Sequence, residues 1–245
     1  MTVGGINQPG SFAVWRPARV GVGAFLRRMF PHVPRRFVLT LCGALALATM
    51  AAPARAVDWL VLVVDRSNSI DADELHLQRQ AYVDVLNDGK IVRALKHTLI
   101  AIVEFDSTAT IVVPWTTARD AAAQYAAALT APGTRGGTGI GHGLGAALEL
   151  LNEKQGRRVI DISGDGRENR DSVLLERRRE AATASGIEIN GLVISGRTRY
   201  DLKRYYLQNV VNGFVIEIDD VADFHAALKR KILQETLVSH RRDAD

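Results

Sequence analysis

From residue 57 onward the chain alternates between short, nearly unbroken apolar runs and longer stretches in which apolar residues recur every three or four positions. VDWLVLVVD (57–65) and HTLIAIVEF (97–105) read as strands buried on both faces. RRVIDISGDG (157–166), IEINGLVIS (187–195) and GFVIEID (213–219) read as further strands. ATIVVPW (109–115) follows the second strand so closely that it predicts an antiparallel hairpin partner, and Pro114 suits a sheet edge. Between the strands lie helical segments. Asp71 and Glu74 have capping-box spacing, so a helix is predicted from Ala72, with Leu75, Tyr82, Val83 and Leu86 on one face. Further helices are predicted at 118–129, from about Gly141 to Asn152, at 170–186 ending on Gly186, at 201–211 and at 221–237. This alternation predicts an α/β fold, a three-layer sandwich with a mostly parallel central sheet, one antiparallel edge strand and helices on both faces.

Residues 1–56 follow another pattern. They hold seven Arg and no Lys, Asp or Glu. Arg35 and Arg36, the apolar run Phe37–Met50 and the small-x-small site Ala54-Arg55-Ala56 are the three parts of a secretory signal in order. The apolar run falls short of the roughly 20 residues a bilayer span needs; an uncleaved anchor or a buried helix is the alternative. Met29 is a second candidate start, which sets the leader core at 29–56. The arginine pair is a loose match to a twin-arginine signal. The expected organisation is a leader at 1–56, a domain at 57–236 and a disordered tail at 237–245. The expected location is periplasmic or secreted, with no membrane span in the mature chain.

Removing the leader inverts the charge. The chain carries 31 basic and 27 acidic residues; without the seven leader arginines 24 basic residues remain, a balance near −3. The basic character belongs to the leader, so no nucleic-acid partner is expected. Cys42 is the only cysteine and lies in the leader, after Leu41 rather than the small residue a lipoprotein signal wants. The mature chain therefore has no disulfide or thiol chemistry. The run Arg177-Arg178-Arg179 reads as a solvated helix face.

The glycine-rich stretch TRGGTGIGHGLGAALELL (134–151) raises a specific alternative. Thr138, Gly139, Gly143 and Gly145 fit the T-G-x-x-x-G-x-G phosphate loop of short-chain, NAD(P)-dependent dehydrogenases. That loop needs a strand directly before it, and here an Ala-rich helix precedes it. Asp161 follows at a suitable distance but lies within a strand, and the Tyr-x-x-x-Lys pair is missing its lysine at Arg204. The dehydrogenase reading is the weakest of the alternatives.

A second constellation uses more residues. Asp65-Arg66-Ser67-Asn68-Ser69 follows the first strand, Gly136-Gly137-Thr138 precedes a helix, and Asp165-Gly166 follows the strand at 157–164. In open α/β sheets sites form beyond the carboxyl ends of strands. Two carboxylates and three hydroxyls, with no His or Cys, favour a hard cation over zinc. Ser67, Ser69 and Thr138 can donate neutral oxygens directly; Asp65 and Asp165 can act directly or through water. Such a set leaves the ion able to accept one more carboxylate from outside. Gly136, Gly137 and Gly166 are expected to permit tight backbone bends. Each residue also has an ordinary reading: Asp65, Ser67 and Thr138 as helix caps, Asp165-Gly166 as a turn. Asp161 has two open readings, support behind the ligands or a satisfied buried acid. His142 reads as an exposed residue of a helix's first turn, with no nucleophile paired to make it a catalytic base.

D-x-S-x-S after the first strand, then G-G-T, then a late Asp-Gly resembles the von Willebrand factor type A domain and its metal-ion-dependent adhesion site. VVPWT, GGTGIG, RRVIDISGDGREN and GIEINGLVI are similar to a family of secreted bacterial A-domain-like proteins of uncharacterised function. The resemblance implies Ser67, Ser69 and Thr138 as direct ligands of Mg²⁺ or Mn²⁺, with Asp65 and Asp165 acting mainly through water. It implies a non-enzymatic binding module whose protein partner supplies an acidic residue. Asn68 stands where family members often have Gly and is expected to tolerate a left-handed backbone. Arg66 places a positive charge beside the ion. The main alternative is a metal-dependent hydrolase, of phosphoesters or peptides, on the same scaffold.

Overall fold

The computed structural model describes residues 58–131, 136–196, 198 and 200–237. The expected leader and the tail beyond Leu237 lie outside these residues. The elements are β1 (Trp59–Asp65), α1 (Ala72–Asn87), α2 (Gly89–Ala94), β2 (Leu99–Phe105), β3 (Ala109–Thr116), α3 (Ala118–Tyr125), α4 (Ile140–Leu151), β4 (Arg158–Gly164), α5 (Ser172–Ala184), β5 (Glu188–Ile194), α6 (Leu202–Asn209), β6 (Val215–Ile218) and α7 (Phe224–Leu237). Short 3₁₀ turns extend α3 at Ala126–Ala128 and precede α7 at Val221–Asp223. Leu237 is the last residue of α7, where the predicted helix 221–237 ends.

The strands form one sheet in the order β3-β2-β1-β4-β5-β6. All neighbours are parallel except β2 and β3. The hairpin register slips between Ile100↔Thr116 and Ile102↔Val113, which sets Pro114 and Trp115 in an irregular stretch of the edge strand. A proline cannot donate to the ladder, so an edge irregularity is where it is tolerated.

The apolar runs are continuous because both faces of the sheet are covered. Leu60, Leu62 and Val64 of β1 pack with Tyr82, Leu86, Ile91, Ala121 and Leu228, on the side of α1, α2, α3 and α7. Val61 and Val63 pack with Leu144, Leu175 and Tyr206, on the side of α4, α5 and α6. Each strand thus feeds two cores, one on each face.

The layout positions the site. From β1 the chain crosses to β2 on one side, and β4 later docks on the other. The carboxyl ends of β1 and β4 therefore flank the point where strand order reverses, the crevice in which open α/β sheets place ligands.

Candidate metal centre

The loop after β1 is shaped by its own first residue. Asp65 Oδ1 accepts from the Ser67 N–H at 2.8 Å, and the Ile70 N–H donates to the Ser67 carbonyl at 3.1 Å. This local turn brings the Ser67 and Ser69 hydroxyls within 3.0 Å of each other. α1 begins only afterwards, under its own capping box of Asp71 and Glu74, so neither Asp65 nor Ser67 is a helix cap.

The second loop is fastened from three sides. The Asn68 N–H donates to the Gly136 carbonyl at 3.1 Å, the Gly137 N–H to Ser107 Oγ at 2.8 Å, and the Thr138 N–H to Asn169 Oδ1 at 2.9 Å. Thr138 is therefore turned inward, its hydroxyl 3.2 Å from Ser67 Oγ. It does not cap α4; Glu168 Oε2 accepts from the Gly141 N–H there. The third loop leaves β4 at Gly164, and Ser69 Oγ donates to Asp165 Oδ1 at 2.6 Å.

All five sequence-level candidates thus converge: Ser67 Oγ lies against Ser69 and Thr138, Ser69 reaches Asp165, and Asp65 holds the loop beneath. Asp65, Ser67 and Thr138 are buried, whereas Ser69 is exposed, so the cluster opens to solvent on one side. Asp65 is fully buried and its Oδ2 has no hydrogen-bond partner. Burial and then the Asp165 carboxylate push its pKa up to about 7 against the opposing Ser67 hydrogen bonds. Among the described residues no group of three or more His, Cys, Asp or Glu could hold a metal ion. This cluster instead combines three hydroxyls with two carboxylates. A buried carboxylate that feels the charge of a second carboxylate, set beneath a linked group of neutral hydroxyls, fits a hard divalent cation.

Several details differ from expectation. The described positive-φ residues are Glu153, Gly156 and Gly186, so Asn68, Gly136, Gly137 and Gly166 use no left-handed backbone. The glycines serve close approach instead. A Cβ on Gly137 would stand 2.6 Å from Asn169 Oδ1, and one on Gly166 3.0 Å from Thr138 Oγ1. Gly143 and Gly145 lie within α4, where added methyls would meet Phe105 and Arg178, so they are packing glycines rather than a phosphate cradle. His142 is half-buried, not exposed, and its Nδ1 has no hydrogen-bond partner. Of the three consecutive arginines only Arg177 is exposed; Arg179 donates to the Val211 carbonyl at 3.1 Å. Asp161 is a fully buried acid ion-paired with Lys231: its Oδ1 lies 2.5 Å from Lys231 Nζ, while its Oδ2 has no hydrogen-bond partner.

Other residues at this end of the sheet escaped the sequence reading. Asp106 follows β2 as Asp165 follows β4; its carbonyl accepts from the Gly139 N–H at 2.8 Å and its carboxylate lies 3.4 Å from Arg66 Nε. Glu104 accepts from Arg79 Nε at 2.8 Å and Tyr125 Oη at 2.8 Å, and lies 3.6 Å from Arg66. The Arg66 charge is thus shared with two acids. Asp106 was findable as a strand-end acid; the links of Asn169 to the Thr138 N–H and of Glu168 to the Gly141 N–H were not, because they span about thirty residues.

A protein-family model described as "Protein of unknown function (DUF1194)" matches residues 56–240. No curated protein matches. Among solved structures, a von Willebrand factor type A protein from Catenulispora acidiphila superposes with a TM-score of 0.60 at 17% identity, covering 74% of this chain and 43% of that one. The pilus adhesin SpaC from Lactobacillus rhamnosus GG, in an open conformation, gives 0.58 at 17%, covering 74% and 30%. Proximal thread matrix protein 1 from the mussel byssus, with a zinc-occupied MIDAS motif, gives 0.56 at 18%, covering 74% and 47%. The chain spans less than half the length of each. At such identities the likeness establishes the fold, the A-type α/β sandwich.

Proposed function

The chain belongs to the family described as "Protein of unknown function (DUF1194)", and from that premise we propose that it is a non-enzymatic, periplasmic or secreted binding module that recognises a protein partner through a divalent cation, Mg²⁺ or Mn²⁺. One observation carries the reading: the oxygens of Ser67, Ser69, Thr138 and Asp165 form a linked cluster over the buried, half-satisfied carboxylate of Asp65. Ser67, Ser69 and Thr138 would hold the ion directly, and Asp65 and Asp165 through water. The bound cation supplies a Lewis-acidic position for a carboxylate from the partner.

The chain's own residues do the rest. Asn169, Glu168 and Asp106 fasten the Thr138 loop, so little ordering remains to be done on binding. Arg167, two residues beyond Asp165, is exposed and lies over the rings of Tyr200 (4.3 Å) and Tyr205 (5.1 Å). This aromatic clamp presents a pre-oriented cation at the rim, complementary to an acidic segment. The relatives named as a pilus adhesin and a thread matrix protein, one with a metal-occupied site, are in keeping with a binding role. No described helix is long and apolar enough to cross a membrane.

Calorimetric titration of Mg²⁺, Mn²⁺ and Zn²⁺ into chelator-stripped residues 57–245 tests the proposal. Saturable binding of Mg²⁺ or Mn²⁺, lost in Asp65→Ala and Asp165→Ala, is the expected result. Equal behaviour of the wild type and both variants would contradict it, and preference for Zn²⁺ would overturn the hard-cation assignment.

A further inference from the structure

Two fully buried oxygens near the cluster have no hydrogen-bond partner: Asp65 Oδ2 and the phenol of Tyr206 on α6. They belong to elements far apart in sequence, yet both face Gly164, the last residue of β4. A Cβ built on Gly164 would stand 2.8 Å from each. Leaving a buried carboxylate oxygen and a buried hydroxyl unsatisfied is unfavourable for each. Their chemistry is complementary, since the phenol donates and the carboxylate accepts. Burial, and then the Asp65 and Asp165 charges, raise the Tyr206 pKa well above the usual phenol value, so the donor stays protonated. The Tyr206 ring is held within the core that includes Val63, Val193 and Val211, with its edge against Gly191. The hydroxyl is thus aimed at this point by packing.

We propose that Tyr206 is a positioning residue of the cation site, its phenol joined to Asp65 Oδ2 by one bound water lodged against Gly164. The carboxylate is then held at both ends, by the Ser67 N–H on Oδ1 and by this bridge on Oδ2. The two orphan oxygens supply the minimum number of polar partners that a buried water takes. The inference rests on the cation-site reading for its effect on affinity, and on the two orphan oxygens alone for the link itself.

The test is an unfolding cycle in chelator of wild type, Tyr206→Phe, Asp65→Ala and the double variant. If the bridge exists, Tyr206→Phe strips Asp65 of a partner and lowers Tm by roughly 3–6 °C. The same change in the Asp65→Ala background then has less than half that effect. If the phenol is merely unpaired, Tyr206→Phe leaves Tm unchanged or raises it, and the proposal fails. Equal losses in both backgrounds overturn it as well. A crystal structure of the wild type decides the same question without requiring any variant to fold. Water density within hydrogen-bonding distance of both oxygens supports the bridge, and its absence overturns it. With Mn²⁺ as probe, Tyr206→Phe is expected to bind about tenfold more weakly, as for partners that orient a ligand. Unchanged affinity removes the positioning role. If the wild type binds no cation, the proposed function fails, while the unfolding cycle still decides the bridge.

Discussion

Asp65 concentrates the electrostatics of the site in one carboxyl group. Its pKa is raised to about 7 by burial and by Asp165, so between about 4 and 7 the metal-free folded protein binds a proton that the unfolded chain has released. Stability in chelator therefore falls as pH rises through that window, on the order of a few kcal/mol. Saturating cation favours the charged form and flattens the slope. Urea unfolding at several pH values, with and without Mn²⁺, reads this directly; a chelator profile that rises over the same range would refute it. Gly137 carries a second residue-scale prediction. Its missing Cβ leaves room for Asn169 Oδ1, which would otherwise lie 2.6 Å away. Gly137→Ala is expected to break the Asn169–Thr138 hydrogen bond and destabilise the protein by about 1–3 kcal/mol. Denaturant midpoints measure the loss, and Asn169→Ala in the same background should add little to it.

At the scale of elements, the sheet and its coverings were legible because the patterns are strong. A continuous apolar run has one comfortable home, between two helical layers, and Pro114 marked its strand as an edge. Boundaries were less legible: helix 118–129 ends as a 3₁₀ turn at Ala126–Ala128, where local propensity does not distinguish the two. The five-oxygen cluster was legible because short polar motifs directly follow buried strands. What holds the cluster was not. Glu168 and Asn169 lie at the end of the marked stretch RRVIDISGDGREN, but they and Tyr206 act across long sequence separations that spacing does not reveal. Lys231 shows the same limit. In the sequence it sits in the basic run Lys229-Arg230-Lys231, yet α7 turns it fully inward, between Asp161 at 2.5 Å and Glu235 at 3.0 Å. Burial chiefly, with Asp161 adding, pushes Glu235 up to about 8 against the pull of Lys231. Its contribution has the same sign as that of Asp65 and extends to higher pH. Glu235→Gln is expected to reduce the fall in stability between about 4.5 and 8, and an unaltered slope would show that Glu235 ionises normally.

Across the whole molecule, the fold sets two carboxylates, three hydroxyls and an arginine–tyrosine rim at one end of the sheet. The opposite end is different in kind: Trp59 and Trp115 meet edge-on at 5.1 Å, with Lys154 4.6 Å from the Trp59 ring centre. This polarity is what the strand-order reversal beside β1 makes possible, since only the carboxyl ends converge on a crevice. We propose that this crevice is a cation site. Its most direct test is anomalous diffraction from crystals of residues 57–245 soaked in Mn²⁺. One strong peak is expected among the hydroxyl oxygens of Ser67, Ser69 and Thr138, absent from crystals of Asp65→Ala. A peak elsewhere, or none at saturating Mn²⁺, would contradict it.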